Sequence, residues 1–248
     1  MIHIRNESEI AHLREAGRQT ARCMQHIAGL IACGITTGEL DREAEQFIRK
    51  NGGIPTFKGF QGYPGSICAS INEEVVHGIP GSRKLMNGDI ISIDLGVTYD
   101  GWVGDMARTF AVGEVEPNKL KLMDVTKACF EAGMDKMRPG NRLGDISSAV
   151  QALAEAHGYG VVRDLCGHGV GQNMHEDPEL PNFGRAGHGI RLQAGMVLAL
   201  EPMINEGTWK VRFLEDGWTV ISADHSPSAH YENTIAITQE GPMILTAL

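Results

Sequence analysis

Cysteine is scarce and scattered in this chain. The five residues Cys23, Cys33, Cys68, Cys129 and Cys166 form no C-x-x-C pair, which argues against a zinc finger or an iron–sulfur site, since both need clustered thiolates. An odd number of widely spaced cysteines fits reduced thiols in a cytoplasmic compartment better than a disulfide framework. Basic residues are outnumbered 22 to 31, the formal charge is −9, and no Lys/Arg-rich run occurs, so no nucleic-acid binding is expected. Long apolar runs are missing too. Stretches such as Met196-Val-Leu-Ala-Leu200 fall far short of the roughly 20 residues that cross a bilayer, so no membrane span is expected. The start, Met1-Ile-His-Ile-Arg5-Asn-Glu-Ser-Glu9, is polar from its fifth residue and reads as no export signal. There is no Walker loop, no G-x-S-x-G elbow and no G-x-G-x-x-G turn. Pro178, soon after the glycines at 167–171, speaks against the helix that a dinucleotide site needs.

What is present is a chain of 248 residues, 42% of them hydrophobic, enough for a substantial core. A repeat lies within it. Gly34-Ile-Thr-Thr-Gly-Glu39-Leu40 opens an amphipathic pattern (Leu40, Ala44, Phe47, Ile48) that closes at Gly52. Gly140-Asn-Arg-Leu-Gly-Asp145-Ile146 opens the same pattern (Ile146, Val150, Leu153, Ala154), which closes at Gly158, at a constant offset of 106. Each copy follows another helix-period segment, Ser8 to Ile31, where Asn6 and Glu9 can form a capping box, and Leu120 to Met137. The strand patterns repeat as well. Gly88 to Asp94 resembles Gly195 to Glu201, a β-rich run closing on a carboxylate. Asp100-Gly-Trp102 and Asp216-Gly-Trp218 are turn signals between strands, and second acids follow at Asp105 and Glu232. The expectation is an α+β fold: two halves, about 1–115 and 116–248 of a single domain, related by a pseudo-twofold axis, with antiparallel strands in a central sheet flanked by helices.

Four acids in apolar, strand-forming runs are costly to bury unless paired or bound to metal. If the halves face each other, Asp94, Asp105, Glu201 and Glu232 converge at the midline. Two hard cations need five or six ligands, and histidine commonly joins carboxylates in hydrolytic two-metal centres. The candidate is His168, in Cys166-Gly-His168-Gly-Val-Gly171, whose flanking glycines are expected to let the backbone approach a ligand closely and take angles that side chains forbid.

The motifs Asn72-Glu-Glu-Val-Val-His77-Gly-Ile-Pro80, Asp94-Leu-Gly, Gly104-Asp105-Met-Ala-Arg-Thr109, Gly167-His168-Gly-Val-Gly171, His175-Glu-Asp-Pro178, Glu201-Pro-Met and Tyr231-Glu232-Asn-Thr, in this order across nearly the whole chain, resemble type I methionine aminopeptidases of bacterial type. The resemblance implies the pita-bread fold and a metallo-exopeptidase that removes the initiator methionine of nascent polypeptides, with a small second residue preferred. It implies that Asp105 and Glu232 bridge two divalent ions (Co, Mn, Fe or Zn), that Asp94 completes one, and that His168 and Glu201 complete the other. Water shared by such ions is acidified towards neutrality. Glu201 then serves as proton carrier, His175 as donor to the developing oxyanion, and His77 as a contact to the scissile amide or the chain beyond it. Phe60, Tyr63, Cys68, Met174 and Trp218 are expected to wall the methionine slot. Phe60 and Met174 depart from the tyrosine-like residue and phenylalanine usual in bacterial relatives, and Leu165 and Phe183 replace commoner aromatic choices. A cytoplasmic monomer, transiently near the ribosome, is expected. Two alternatives remain at this point: an X-Pro aminopeptidase or prolidase of the same fold, and a pita-bread binding protein without catalysis.

Overall fold

The computed structural model describes residues 1–248, and its first two helices begin where the sequence provides caps. Helix α1 spans Glu7–Ala28, with the Asn6 side chain accepting from the Glu9 N–H while the Glu9 carboxylate accepts from the Asn6 N–H. Helix α2, Thr37–Lys50, starts on the same reciprocal device between Thr36 and Glu39. Its buried face is Leu40, Ala44 and Ile48. Strands β1 (Ile54–Pro55), β2 (Cys68–Ile71) and β3 (Glu74–Val76) follow, then a long hairpin of β4 (Ile90–Tyr99) and β5 (Trp102–Ala111). Its two-residue turn is Asp100-Gly101, with φ of 48° and 77°, the left-handed pair that matches the twist of a tight hairpin.

The second half opens with α3 (Pro117–Met134) and α4 (Leu143–Ala156). Helices α2 and α4 start at 37 and 143 and end at 50 and 156, which preserves the offset of 106 at both ends. Helix α3 begins three residues before the expected Leu120, because Pro117 takes the first helical position, where its missing N–H costs nothing. It ends before Met137, since Pro139 cannot continue it. Helix α1 likewise stops at Ala28 rather than Ile31, with Gly29 as its cap. Ten short strands complete the half: β6 (Gly160–Val161), β7 (Cys166–Gly169), β8 (Glu176–Pro181), β9 (Val197–Leu200), β10 (Met203–Asn205), β11 (Val211–Phe213), β12 (Val220–Ser222), β13 (Ser228–His230), β14 (Asn233–Thr238) and β15 (Gly241–Ile244).

Every ladder is antiparallel, and the strands lie in four hydrogen-bonded sheets. In the first half β4 pairs with β5 along one edge and with β1 and β2 along the other. The largest sheet of the second half runs β15-β14-β9-β7-β8. Two smaller sheets run β13-β10-β6 and β11-β12-β3, the latter joining strands of both halves. The two larger sheets meet at a seam between β5 and β14. There the Asp105 N–H donates to Thr234 Oγ1 (3.0 Å), the Thr234 hydroxyl donates to the Asp105 carbonyl (2.9 Å), and the Glu232 N–H donates to the Ala107 carbonyl (3.0 Å).

Helices cover the outer faces. One core packs Phe130, Ile146 and Val150 of α3 and α4 on Leu198, Leu200 and Ile235; another packs Ile27, Leu40 and Ile48 of α1 and α2 on Ile91, Ile93 and Leu95. Helix α1 comes so close to β5 that a Cβ on Gly104 would stand 2.5 Å from Thr20 Oγ1 and 2.7 Å from the Gly17 Cα.

Candidate metal centre

Strand register alone brings the acids to the seam. Asp94 pairs with Ala107 and Asp105 with Gly96, and because paired residues share a face, the two carboxylates stand diagonally on one face of the hairpin. Asp94 lies mid-strand in β4, whereas the sequence pattern has it closing a strand, and Asp105 lies within β5, whereas the pattern has it opening one. In the second half Asn233 pairs with Leu200. Glu232 and Glu201, one residue further on each chain, are thus the next step of that ladder. His168 pairs with Ala199, two residues from Glu201, so imidazole and carboxylate also share a face.

The glycines beside His168 serve strand packing and need no unusual backbone angle. A Cβ on Gly167 would stand 2.3 Å from the Ala199 carbonyl oxygen, and one on Gly169 would stand 2.3 Å from that of Asp177.

His168 Nε2 lies 3.5 Å from Glu201 Oε1 and 3.8 Å from Asp105 Oδ2. Its Nδ1 is 2.9 Å from the Gly169 carbonyl, which can only accept, so Nδ1 carries the proton and Nε2 points a lone pair at the acids. Asp105, His168 and Glu232 can offer ligand atoms all within 4.8 Å of one another, and so can Glu201, His230 and Glu232. The two groups share Glu232.

Asp105 and Glu232 are buried, 3% and 2% exposed, while Asp94 and Glu201 are half-buried in the cavity wall. Burial pushes the Asp105 carboxyl up to about 7. Burial, reinforced by the neighbouring acids, drives Asp94, Glu201 and Glu232 well above the usual carboxylate range. No lysine or arginine side chain pairs with them: the side chains in ion-pair range of Asp105, Glu201 and Glu232 are imidazoles, and Arg108 only partly counters the rise at Glu232 from further off. Arg108, the nearest guanidinium, spends its N–H groups on the carbonyls of Ala107 and Glu232 and on Asn233 Oδ1. Asp94 Oδ1 and Asp105 Oδ1 are buried without a hydrogen-bond partner. A nest of acids with no ion-paired lysine or arginine, orphaned oxygens and a lone pair aimed among them fits hard divalent cations, and the donor set of oxygens plus imidazole suits Mn, Fe, Co or Zn.

The histidines are held neutral. Burial lowers His168 to about 3 and His77 to about 4, with His175 adding to each, and burial also lowers His175. His175 meets His168 edge-on at 4.2 Å between ring centres, with Phe60 against it at 5.3 Å. His77 sits at φ 60°, a conformation in which few side chains are found, and the next N–H, of Gly78, donates to Ser70 Oγ.

These groups line a cavity of about 690 Å³ together with Phe60, Tyr63, Cys68, Met174 and Trp218. Tyr63 and Trp218 meet edge-to-face at 5.0 Å, and the Tyr63 hydroxyl reaches the carbonyls of Ile67 and Gly78. Every ligand, catalytic and slot residue expected from the sequence thus reaches one cavity. Leu165 lines it as well, while Phe183 does not and instead packs beneath Arg163. Sequence reading missed Phe57, Gln61, Asp164 and Glu179 on the wall. It also missed His230, whose one signal was its place two residues before Glu232.

Comparison with known proteins agrees with this geometry. The profile of metallopeptidase family M24 matches residues 11–239. A methionine aminopeptidase of Clostridium perfringens is 51% identical over 248 residues, all of this chain and all of the relative. The crystal structure of methionine aminopeptidase from Rickettsia prowazekii superposes with a TM-score of 0.99 at 42% identity, covering 100% of both chains. The Xaa-Pro dipeptidase from Bacillus anthracis shares the fold at a TM-score of 0.80, but with 24% identity and only 62% of its own length covered.

Proposed function

Since the chain belongs to metallopeptidase family M24 and has the hydrolytic methionine aminopeptidase activity of its full-length relatives, we propose that Asp94, Asp105, His168, Glu201 and Glu232 hold two divalent ions per chain. Asp105 and Glu232 would serve both ions, Asp94 would complete the set for one, and His168 with Glu201 would complete the set for the other. Ions bound there supply Lewis acidity, which acidifies water and polarises a carbonyl oxygen.

The protein's own groups do the rest. Glu201 takes a proton and returns it to the leaving nitrogen, a task suited to a carboxyl whose burial raises its proton affinity. His175, neutral and at the cavity, donates to the oxygen that gains charge, and His77 contacts the scissile amide or the residue beyond. Phe60, Tyr63, Cys68, Met174 and Trp218 enclose the methionine side chain, whose thioether rewards soft, apolar surroundings. The physiological substrates are the initiator methionines of nascent polypeptides with small second residues. They are met in the cytoplasm by a monomer working near the ribosome, and residues 1–248 act as one catalytic domain of two halves.

The observation that carries this reading is the gathering of four carboxylates and one imidazole, with no lysine or arginine in ion-pair range, at the wall of a cavity that also presents apolar side chains. Assay of Met-Gly-type against X-Pro peptides, each with and without a chelator, tests it. Methionine release that chelation abolishes is expected, whereas preferential cleavage of X-Pro peptides would contradict it.

A further inference from the structure

His230 falls in one of the two groups of possible ligand atoms, yet the five-residue ligand set leaves it without a role. The residue ends β13, and its backbone is clamped from the other half: its N–H donates to Thr109 Oγ1 (2.9 Å) and its carbonyl accepts from the same hydroxyl (3.0 Å). The imidazole is only 1% exposed, and neither Nδ1 nor Nε2 has a hydrogen-bond partner. A buried ring in that condition is costly unless its N–H or lone pair has work to do. Its Nε2 stands 3.7 Å from Glu201 Oε2 and 3.9 Å from Glu232 Oε2. Once ionised, as ligands must be, both neighbours can only accept, so in that state the favourable tautomer carries the proton on Nε2.

Glu201 is thereby bracketed by two imidazoles of opposite character. The lone-pair side of His168 faces Oε1 at 3.5 Å, and the Nε2 of His230 faces Oε2. We propose that His230 is a positioning residue, which donates Nε2–H to the Oε2 atoms of Glu201 and Glu232 and so fixes which oxygen of each carboxylate turns towards the metal site. A shift of about 1 Å in either carboxylate closes the gap to hydrogen-bond distance. This rests on the reading of Glu201 and Glu232 as metal ligands and of Glu201 as proton carrier.

The test uses His230→Gln and His230→Asn in the full chain. A glutamine amide reaches as far as imidazole Nε2, whereas an asparagine amide falls short, so the two differ in reach and hardly in chemistry. Rates on a Met-Gly peptide and calorimetric titration of Mn²⁺ into metal-free protein are measured, with circular dichroism as the check on folding. The expected result is a kcat about 10- to 100-fold lower and weaker Mn²⁺ binding for Asn with KM little changed, near wild-type behaviour for Gln, and the same number of ions bound by all. Equal behaviour of the two variants overturns the proposal, as does loss of one ion equivalent from either, which would make His230 a ligand. Should Asn fail to fold, Gln decides alone: Mn²⁺ affinity within about fivefold of wild type supports positioning, and any greater loss overturns it. Failure of the underlying reading looks different, because the wild-type protein would then take up no Mn²⁺ or release no methionine.

Discussion

Metal affinity is expected to climb steeply between pH 6 and pH 8, and the buried carboxyl of Asp105 sets a minimum for the climb. Without an ion, burial holds this group at about 7 against an ordinary 3.8. It therefore carries a proton in about ten of eleven molecules at pH 6 and in about one of eleven at pH 8. A ligand must shed that proton before it binds a cation. Displacement of this one proton thus raises apparent affinity about tenfold over the window, or about 1.4 kcal/mol. Asp94, Glu201 and Glu232, raised by burial and by one another, act in the same sense. The histidine does not blunt it, since His168, lowered to about 3, is already neutral throughout. The sign for stability follows the same protons. A carboxyl raised on folding contributes stability below its unfolded value near 4 and loses it as pH climbs through about 7, so acidity favours the metal-free form and alkalinity favours uptake. Calorimetric titration of Mn²⁺ into chelator-stripped protein at pH 6, 7 and 8 measures the effect, with proton release read from buffers of different ionisation enthalpy. An affinity that stays level or declines across the series would refute the reasoning.

Two further outcomes are expected. Glu201→Gln keeps its fold by circular dichroism but loses turnover on a Met-Gly peptide by at least about 100-fold, the range of a missing general acid–base; wild-type rates would contradict the assignment. Gly104→Ala drives a methyl group into Thr20 and the backbone of Gly17, costing about 1–3 kcal/mol. Calorimetry should show a Tm lower by about 2–4 °C for each kcal/mol, and an unchanged Tm would mean that α1 can back away from β5.

Much of this was legible in the chain because the signals were local or periodic. Asn6 with Glu9 and Thr36 with Glu39 announce helix starts by their own hydrogen bonds, and Asp100-Gly101 announces a hairpin by backbone conformation. The acids stood out because carboxylates in apolar strands are expensive. What stayed hidden depended on register or on distant partners. Nothing in Gly88 to Asp94 shows that β4 runs on to Tyr99, because polar Thr98 and Tyr99 are kept in the strand by pairing with Val103 and Trp102 across the hairpin. His230 looked like any histidine near a strand, and only the fold reveals that its ring is shut away with two carboxylates. The glycines around His168 signalled a special place correctly, but for the wrong cause: they admit neighbouring strands.

The reciprocal bonds between Asp105 and Thr234 carry a consequence for tolerance to change. Each lobe presents its acids from a scaffold fastened to the main chain of the other, so the jaw width at the centre is set by how the lobes abut. A repacking far out in either lobe, harmless to its own architecture, would reset that width and surface as altered cation preference, long before the protein became less durable.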